Sequence, residues 1–375
     1  MRSFKLTILA IVLLLADSCI TKFIPESSES QDMMIVQGVI TDQPGPNTIT
    51  LSKSQSLSYT SSSYPYSDCI VTVTDDLGNT WPLTQKTAGV YVTDSASFVG
   101  VVGRKYQLKI RTNNSNGINY TYESVPVTML PVPPIDSLYY EKITIGDGSG
   151  SESQGAQIYF DTHDPDNKCL YYRWDYNETW KFQLPYSVTN SICWISNNSS
   201  AINIKNVNLL TENRISKYMI DYVSPETDRL SMRYCFQLNQ YSINEDEYEY
   251  WNKIENVAQQ VGSLYDITPT SIPGNMSCIE DPGQTVLGYF SVSAKSSRRL
   301  YISDYFTGLV NLYTNCPSDT VNSLKNVQGL NRTVWVIESV TFVVPPIYIL
   351  TRTKGCADCT VRGTTVKPWW WENTK

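Results

Sequence analysis

A mostly apolar run from Leu6 to Leu15 opens the chain, and from Met33 onward apolar and polar residues alternate in short bursts instead. MMIVQGVITD and NTITLSKS are separated by the Gly/Pro turn QPGPN, and CIVTVTDDLGNTWPLTQ places Val71 and Val73 on one face of an alternating stretch. GVYVTD, RKYQLKIRT and YTYESVPVTM complete the set. β-Branched and aromatic residues at period two, punctuated by Gly, Pro and Asn, predict short strands joined by turns. About six or seven such strands between Met33 and Leu130 predict an immunoglobulin-like β-sandwich.

PVPPIDS, Pro131 to Ser137, interrupts the pattern and predicts a stiff linker, since closely spaced prolines disfavour both helix and central strand. Beyond it, 138–375 reads as a second, larger β-rich domain. AQIYFDTHD and CLYYRWDYNETWKF alternate and are rich in aromatics, with GDGSGSESQG (Gly146 to Gly155) as a hairpin loop before them. Asn203 to Leu238 reads as mixed strand and turn. One helix is expected near 243–262: Ser242 can cap it, acids crowd its first turns, and Tyr250, Ile254, Val257 and Val261 recur at helical spacing, with Gly262 as its end. TVLGYFSVSAKSSRRLYI reads as a hairpin with charged residues at its turn. The C-terminal tail, with VPPIYIL, CADC and KPWWW, reads as irregular. The fold class expected is therefore mainly β.

The opening run changes the picture most. Arg2 and Lys5, the short apolar core and small residues before Cys19 have the three parts of a bacterial lipoprotein signal over residues 1–18. The run is too short to span a bilayer as a permanent helix. Cys19 is thus the expected lipidation site, and 19–32, polar and Ser/Glu-rich, a flexible tether. Leu15 stands four residues before Cys19 rather than three, and Asp17 is unusual for a lipobox. Ile20 offers no inner-membrane retention Asp, which favours the outer membrane and leaves its periplasmic and cell-surface faces both open.

Composition adds three limits. The 26 Tyr against 9 Phe, with only 17% charged residues, suit half-exposed strands better than helices. The formal charge of −7 becomes −8 once Arg2, Lys5 and Asp17 leave with the signal, and an acidic body without a basic cluster argues against nucleic acid as a partner. Besides Cys19 there remain Cys69, Cys169, Cys193, Cys235, Cys278, Cys316, Cys356 and Cys359. An even number in an exported protein reads first as disulfides, with pairing unspecified, some remaining as buried thiols. In Cys356-Ala-Asp-Cys359 the following TVRGTT is a poor helix for a redox site and no second ligand pair supports zinc, so disulfides that pin the tail are expected.

The remaining candidate chemistry is sparse. His163 is the only histidine, and its turn-like setting FDTHDPDN favours an exposed side chain over catalysis. Asp161, Asp164, Asp166 and Asn167 crowd oxygen ligands that could cradle Ca²⁺, but their spacing departs from the EF-hand loop and Pro165 favours a plain turn. Glu245, Asp246, Glu247 and Glu249 favour a helix dipole rather than a pair of catalytic carboxylates. Trp369, Trp370 and Trp371 at the end of the chain are candidates for partner or ligand contacts. No cofactor is expected.

VQGVITDQPGPNTITLSKSQ, YYRWDYNETWKF, EYEYWNKIENVAQQVGSLYDITPTSIPGNMSC, VLGYFSVSA and CADCTVRGTTVKPWWW resemble, in spacing and order, the Bacteroidota lipoprotein family catalogued as domain of unknown function 4249. Where that family carries paired glycines before Lys-Pro, this chain has Gly363-Thr364-Thr365. The resemblance implies an outer-membrane-associated lipoprotein, often encoded beside TonB-dependent receptors, and brings no catalytic residue. The reading that follows is a non-enzymatic accessory or ligand-binding partner of a TonB-dependent outer-membrane transporter. A surface hydrolase acting on glycans or peptides through Asp161 and Asp164, or a structural or adhesive envelope protein, are the alternatives.

Overall fold

The computed structural model describes residues 33–54, 64–113, 117, 119–146, 152–260, 271–313, 316–325 and 333–371. The expected signal, Cys19 and the expected tether to residue 32 lie outside the described residues.

The protein is mainly β. The first alternating segment forms β1 (Met34–Ile40), β2 (Thr48–Lys53), β3 (Tyr64–Pro65), β4 (Ile70–Asp75), β5 (Thr80–Thr87), β6 (Val90–Val92), β7 (Lys105–Arg111), β8 (Thr121–Ser124) and β9 (Val127–Thr128). Period two does what it predicts: Val71 and Val73 on β4 and Tyr106, Leu108 and Ile110 on β7 are buried while their neighbours are not. The first half of β5 pairs with β4 and its second half with β6, joining two stretches of sheet whose inner residues share a single core.

The second half of the chain builds a larger pair of sheets. Its strands are β10 (Ile135–Gly146), β11 (Glu152–His163), β12 (Tyr171–Gln183), β13 (Ile192–Asn198), β14 (Asn203–Asn206), β15 (Arg214–Val223) and β16 (Tyr234–Ile243), followed by helix α1 (Glu245–Gln260). β10, β11 and β15 form one antiparallel sheet. β12 is the spine of the other, with β13 and β14 along one edge and β16 along the opposite one. Ile158 and Phe160 of the first sheet meet Trp174, Phe182, Phe236 and Leu238 of the second in one core. There Trp174 stacks on Tyr172 at 5.4 Å and packs against Phe160 at 5.2 Å. Each fully buried large apolar side chain contributes about 1.5–3 kcal/mol.

Asn203 to Leu238 resolves into β14, β15 and the first half of β16. The helix starts later than its sequence suggests. Ser242 is paired within β16, and Asn244 is the cap, its Oδ1 accepting from the Glu247 backbone N–H at 2.8 Å. Gly262 lies outside the described residues.

After the helix, β17 (Met276–Cys278), β18 (Leu287–Val292) and β19 (Lys295–Ile302) depart from the expected hairpin. β18 and β19 do not pair with each other among the described residues: β18 runs parallel to β1, and β19 lies antiparallel to β16. The chain changes sheets at Ser293 and Ala294, whose N–H groups donate to the Ile40 and Leu130 carbonyls. β17 meanwhile pairs with β8, so the sheet begun at Met34 is completed at both ends by residues from 276–292. Gly288, at φ +82°, sits against Val36, where a Cβ would collide with the Val36 carbonyl. The tail is also more regular than expected. β20 (Ser318–Val321), β21 (Trp335–Val340) and β22 (Ile347–Thr351) form a three-stranded sheet, and IYIL of VPPIYIL belongs to β22.

Candidate functional site

The loop Ser224 to Arg233 between β15 and β16 is tightened by its own polar residues. Thr227 Oγ1 donates to the Ser224 carbonyl at 3.0 Å, and Ser231 Oγ donates to the Asp228 carbonyl at 2.6 Å. Adjacent charges then point opposite ways. Arg229 Nη1 donates to Glu178 Oε2 at 2.9 Å, an oxygen that also accepts from Tyr234 Oη at 2.8 Å. Asp228 accepts from both terminal nitrogens of Arg362, at 2.7 and 3.1 Å. The two charge-assisted pairs fix the loop from either side.

The chain after β19 lies against this loop, with Val310 N–H donating to the Pro225 carbonyl at 3.0 Å. Arg362 Nη1 also donates to Tyr313 Oη at 2.8 Å, and its guanidinium covers the Phe182 ring at 5.0 Å. Its bond to Asp228 raises the Arg362 pKa above the ordinary arginine value. Between these parts opens a cleft of about 460 Å³, lined by Phe182, Leu184, Met232 and Leu309 with Gln183 and Ser231 among its polar groups. That volume falls in the range of small-ligand sites, about 300–1,000 Å³. Both Asp228 oxygens are engaged by Arg362, so Asp228 acts as a structural charge in the wall.

Arg362 meets the cleft wall at Asp228 and Tyr313 from a tail that two disulfides hold. Cys359 pairs with Cys193 on β13, and Cys356 with Cys316. Each half of the CxxC therefore has a distant partner. Asp358 Oδ1 caps the turn by accepting from Thr360 N–H at 3.0 Å, and it also accepts from Asn190 Nδ2 at 3.1 Å. Thr364 and Trp194 exchange backbone hydrogen bonds at 2.9 Å each way, extending the β13 edge. The preceding Gly363 passes so close that a Cβ would lie 2.5 Å from the Trp194 carbonyl oxygen. Thr364 makes this bridge through backbone atoms.

The three terminal tryptophans part company. Trp371 is buried, edge-on to Trp194 and Tyr301, with Arg233 over both Tyr301 and Trp371. Trp370 is half-buried under Arg299, and Trp369 is 82% exposed. Of the other cysteines, Cys69, Cys169, Cys235 and Cys278 are free. Burial pushes Cys69 and Cys235 up to about 11 and Cys169 up to about 12, leaving them protonated and weakly nucleophilic at neutral pH.

The acids near His163 do not converge. Asp161 accepts from Ser137 Oγ and from Lys217 N–H, Asp164 accepts from the N–H groups of Lys168 and Cys169, and Asp166 pairs with Lys168 Nζ at 2.8 Å. His163 Nδ1 lies 2.6 Å from Asp136 Oδ2, tying the end of β11 to the start of β10. Among the described residues, no group of three or more His, Cys, Asp or Glu is placed to hold a metal ion.

Two acids whose carboxyl pKa is raised by desolvation, one fully buried and one half-buried, carry no warning in the sequence. Glu247 looks like one of the helix-dipole acids but is fully buried, accepting from Ser291 Oγ at 2.5 Å and Trp251 Nε1 at 3.1 Å. Desolvation raises its carboxyl pKa against the pull of nearby Arg173. Asp221 on β15 is likewise pushed up by burial. The Asp228–Arg362 pair was equally hidden, because its partners meet only through tertiary folding.

A family model described as domain of unknown function (DUF4249) matches residues 20–299. Comparison with curated proteins found no match.

Proposed function

The chain belongs to the DUF4249 family, and from that membership we propose a non-enzymatic outer-membrane lipoprotein, held by lipid on Cys19, that serves a TonB-dependent transporter of Bacteroidota as accessory or ligand-binding partner. The observation that carries this reading is the export signature ending at Cys19, with the family match beginning at Ile20, the next residue. The two disulfides suit an oxidising compartment. The cleft between Phe182 and Leu309 has the volume of a small-ligand site, which supports the ligand-binding reading. In this reading the N-terminal sheet, with its single core, works as an immunoglobulin-like module beside the larger sandwich.

Mild detergent extraction of native membranes followed by affinity capture tests the partnership. The expected result is co-purification of an outer-membrane β-barrel receptor in near-stoichiometric amount. A protein that never retains such a barrel, even after in-cell cross-linking, overturns it.

A further inference from the structure

β21 and β22 pair as far as Val340 and Ile347, so residues 341–346 close the hairpin. Its inner side is anchored by buried Ile337 and Leu350. Its tip points two large apolar side chains into solvent: Phe342 is 88% exposed and Val344 99% exposed. Scattered apolar residues on a surface are ordinary, but two nearly fully exposed ones on a single tip form a protruding apolar point.

Three features of this tip fit the water–lipid boundary. From Ser339 to Thr351 the sequence SVTFVVPPIYILT contains no charged residue, so entry into the interface strips no ion of water. Pro345 and Pro346 carry no backbone N–H, which removes donors where backbone groups are hardest to satisfy in lipid. If Cys19 is lipidated, Ile20 to Asp32 keep the start of β1 within about 45 Å of the bilayer. We propose that the Phe342–Val344 tip is a second, reversible membrane contact, inserting its apolar side chains into the lipid interface and orienting the body that the Cys19 lipid merely tethers. The orientation rests on the lipidation reading, whereas insertion of the tip is a property of the hairpin itself.

The test uses the full mature chain with Cys19→Ser, which has no lipid, and flotation with vesicles of phosphatidylethanolamine and phosphatidylglycerol. This chain floats with the vesicles. Phe342→Ser with Val344→Ser weakens that binding on the order of ten-fold or more, and Phe342→Trp strengthens it. Both positions are exposed, and unchanged circular dichroism and thermal unfolding identify the variants as folded. Absence of flotation by the Cys19→Ser chain, or equal flotation by the double-serine chain, overturns the proposal; tip contacts confined to a protein partner would give the first result. Because no arm of the test depends on lipid at Cys19, its failure and that of the lipidation reading are read separately.

Discussion

Arg362 grips Asp228 with both terminal guanidinium nitrogens, at 2.7 and 3.1 Å, and so couples the disulfide-held tail to the loop that walls the cleft. The Asp228 side chain is only 8% exposed. Removing Arg362 would leave a nearly buried carboxylate without its cation. Arg362→Ala should therefore destabilise the protein by about 1–3 kcal/mol. Urea unfolding measures this, and Arg362→Lys should recover part of the loss because one amine cannot reproduce the two-point geometry.

The disulfides should differ in weight. Cys193–Cys359 closes a sequence separation of 166 residues and Cys316–Cys356 one of 40. Chain entropy then makes loss of the first about 1 kcal/mol more damaging than loss of the second. Comparing Cys359→Ser with Cys356→Ser by denaturant midpoint checks the order, and the reverse order would show that the tail rests on other contacts.

Closure of the N-terminal sheet by β18 depends on Gly288. Gly288→Ala places a Cβ against the Val36 carbonyl and forces a side chain into left-handed backbone. A loss of at least about 2 kcal/mol in thermal or urea unfolding is expected. An unaffected variant would mean that β18 is not seated on β1.

Glu247 should make stability depend on pH. Its carboxyl holds a proton more tightly folded than unfolded, because burial penalises the charged form. Its favourable contribution is full below the ordinary value of 4.5 and is lost as pH rises through the folded value. Glu247→Gln keeps an acceptor for Ser291 and Trp251 without the charge. The variant should gain on the native protein as pH rises from 4.5 through the folded value of Glu247, and the gain should level off above it. A constant difference across that range would contradict the raised carboxyl.

The strands were legible where alternation was strong, as in Val71 to Val73 and in Tyr172 to Phe182, where Glu178 is the one polar residue on the apolar face. Legibility failed where the backbone breaks its own period. Lys217 takes φ 51° within β15, and the register against β11 shifts twice, which scrambled the pattern of Asn203 to Leu238. Strand partners were less legible still. The residues of β18 announce a strand, but nothing local in LGYFSV says that it will lie parallel to β1 rather than fold back on β19. The same limit hid the cleft. Phe182, Asp228, Tyr313 and Arg362 come from four separate parts of the chain, and only tertiary folding makes them neighbours. The CADC motif was readable as tail-pinning, whereas the choice of Cys193 and Cys316 as partners was not.

The proposed function stands or falls on whether Cys19 carries lipid. Mass spectrometry of the N-terminal peptide of the mature protein, isolated from its native membrane, tests it most directly. The expected product is a chain beginning at Cys19 and carrying diacylglycerol on the thiol. A mature chain that begins elsewhere, or that begins at Cys19 without lipid, would contradict it.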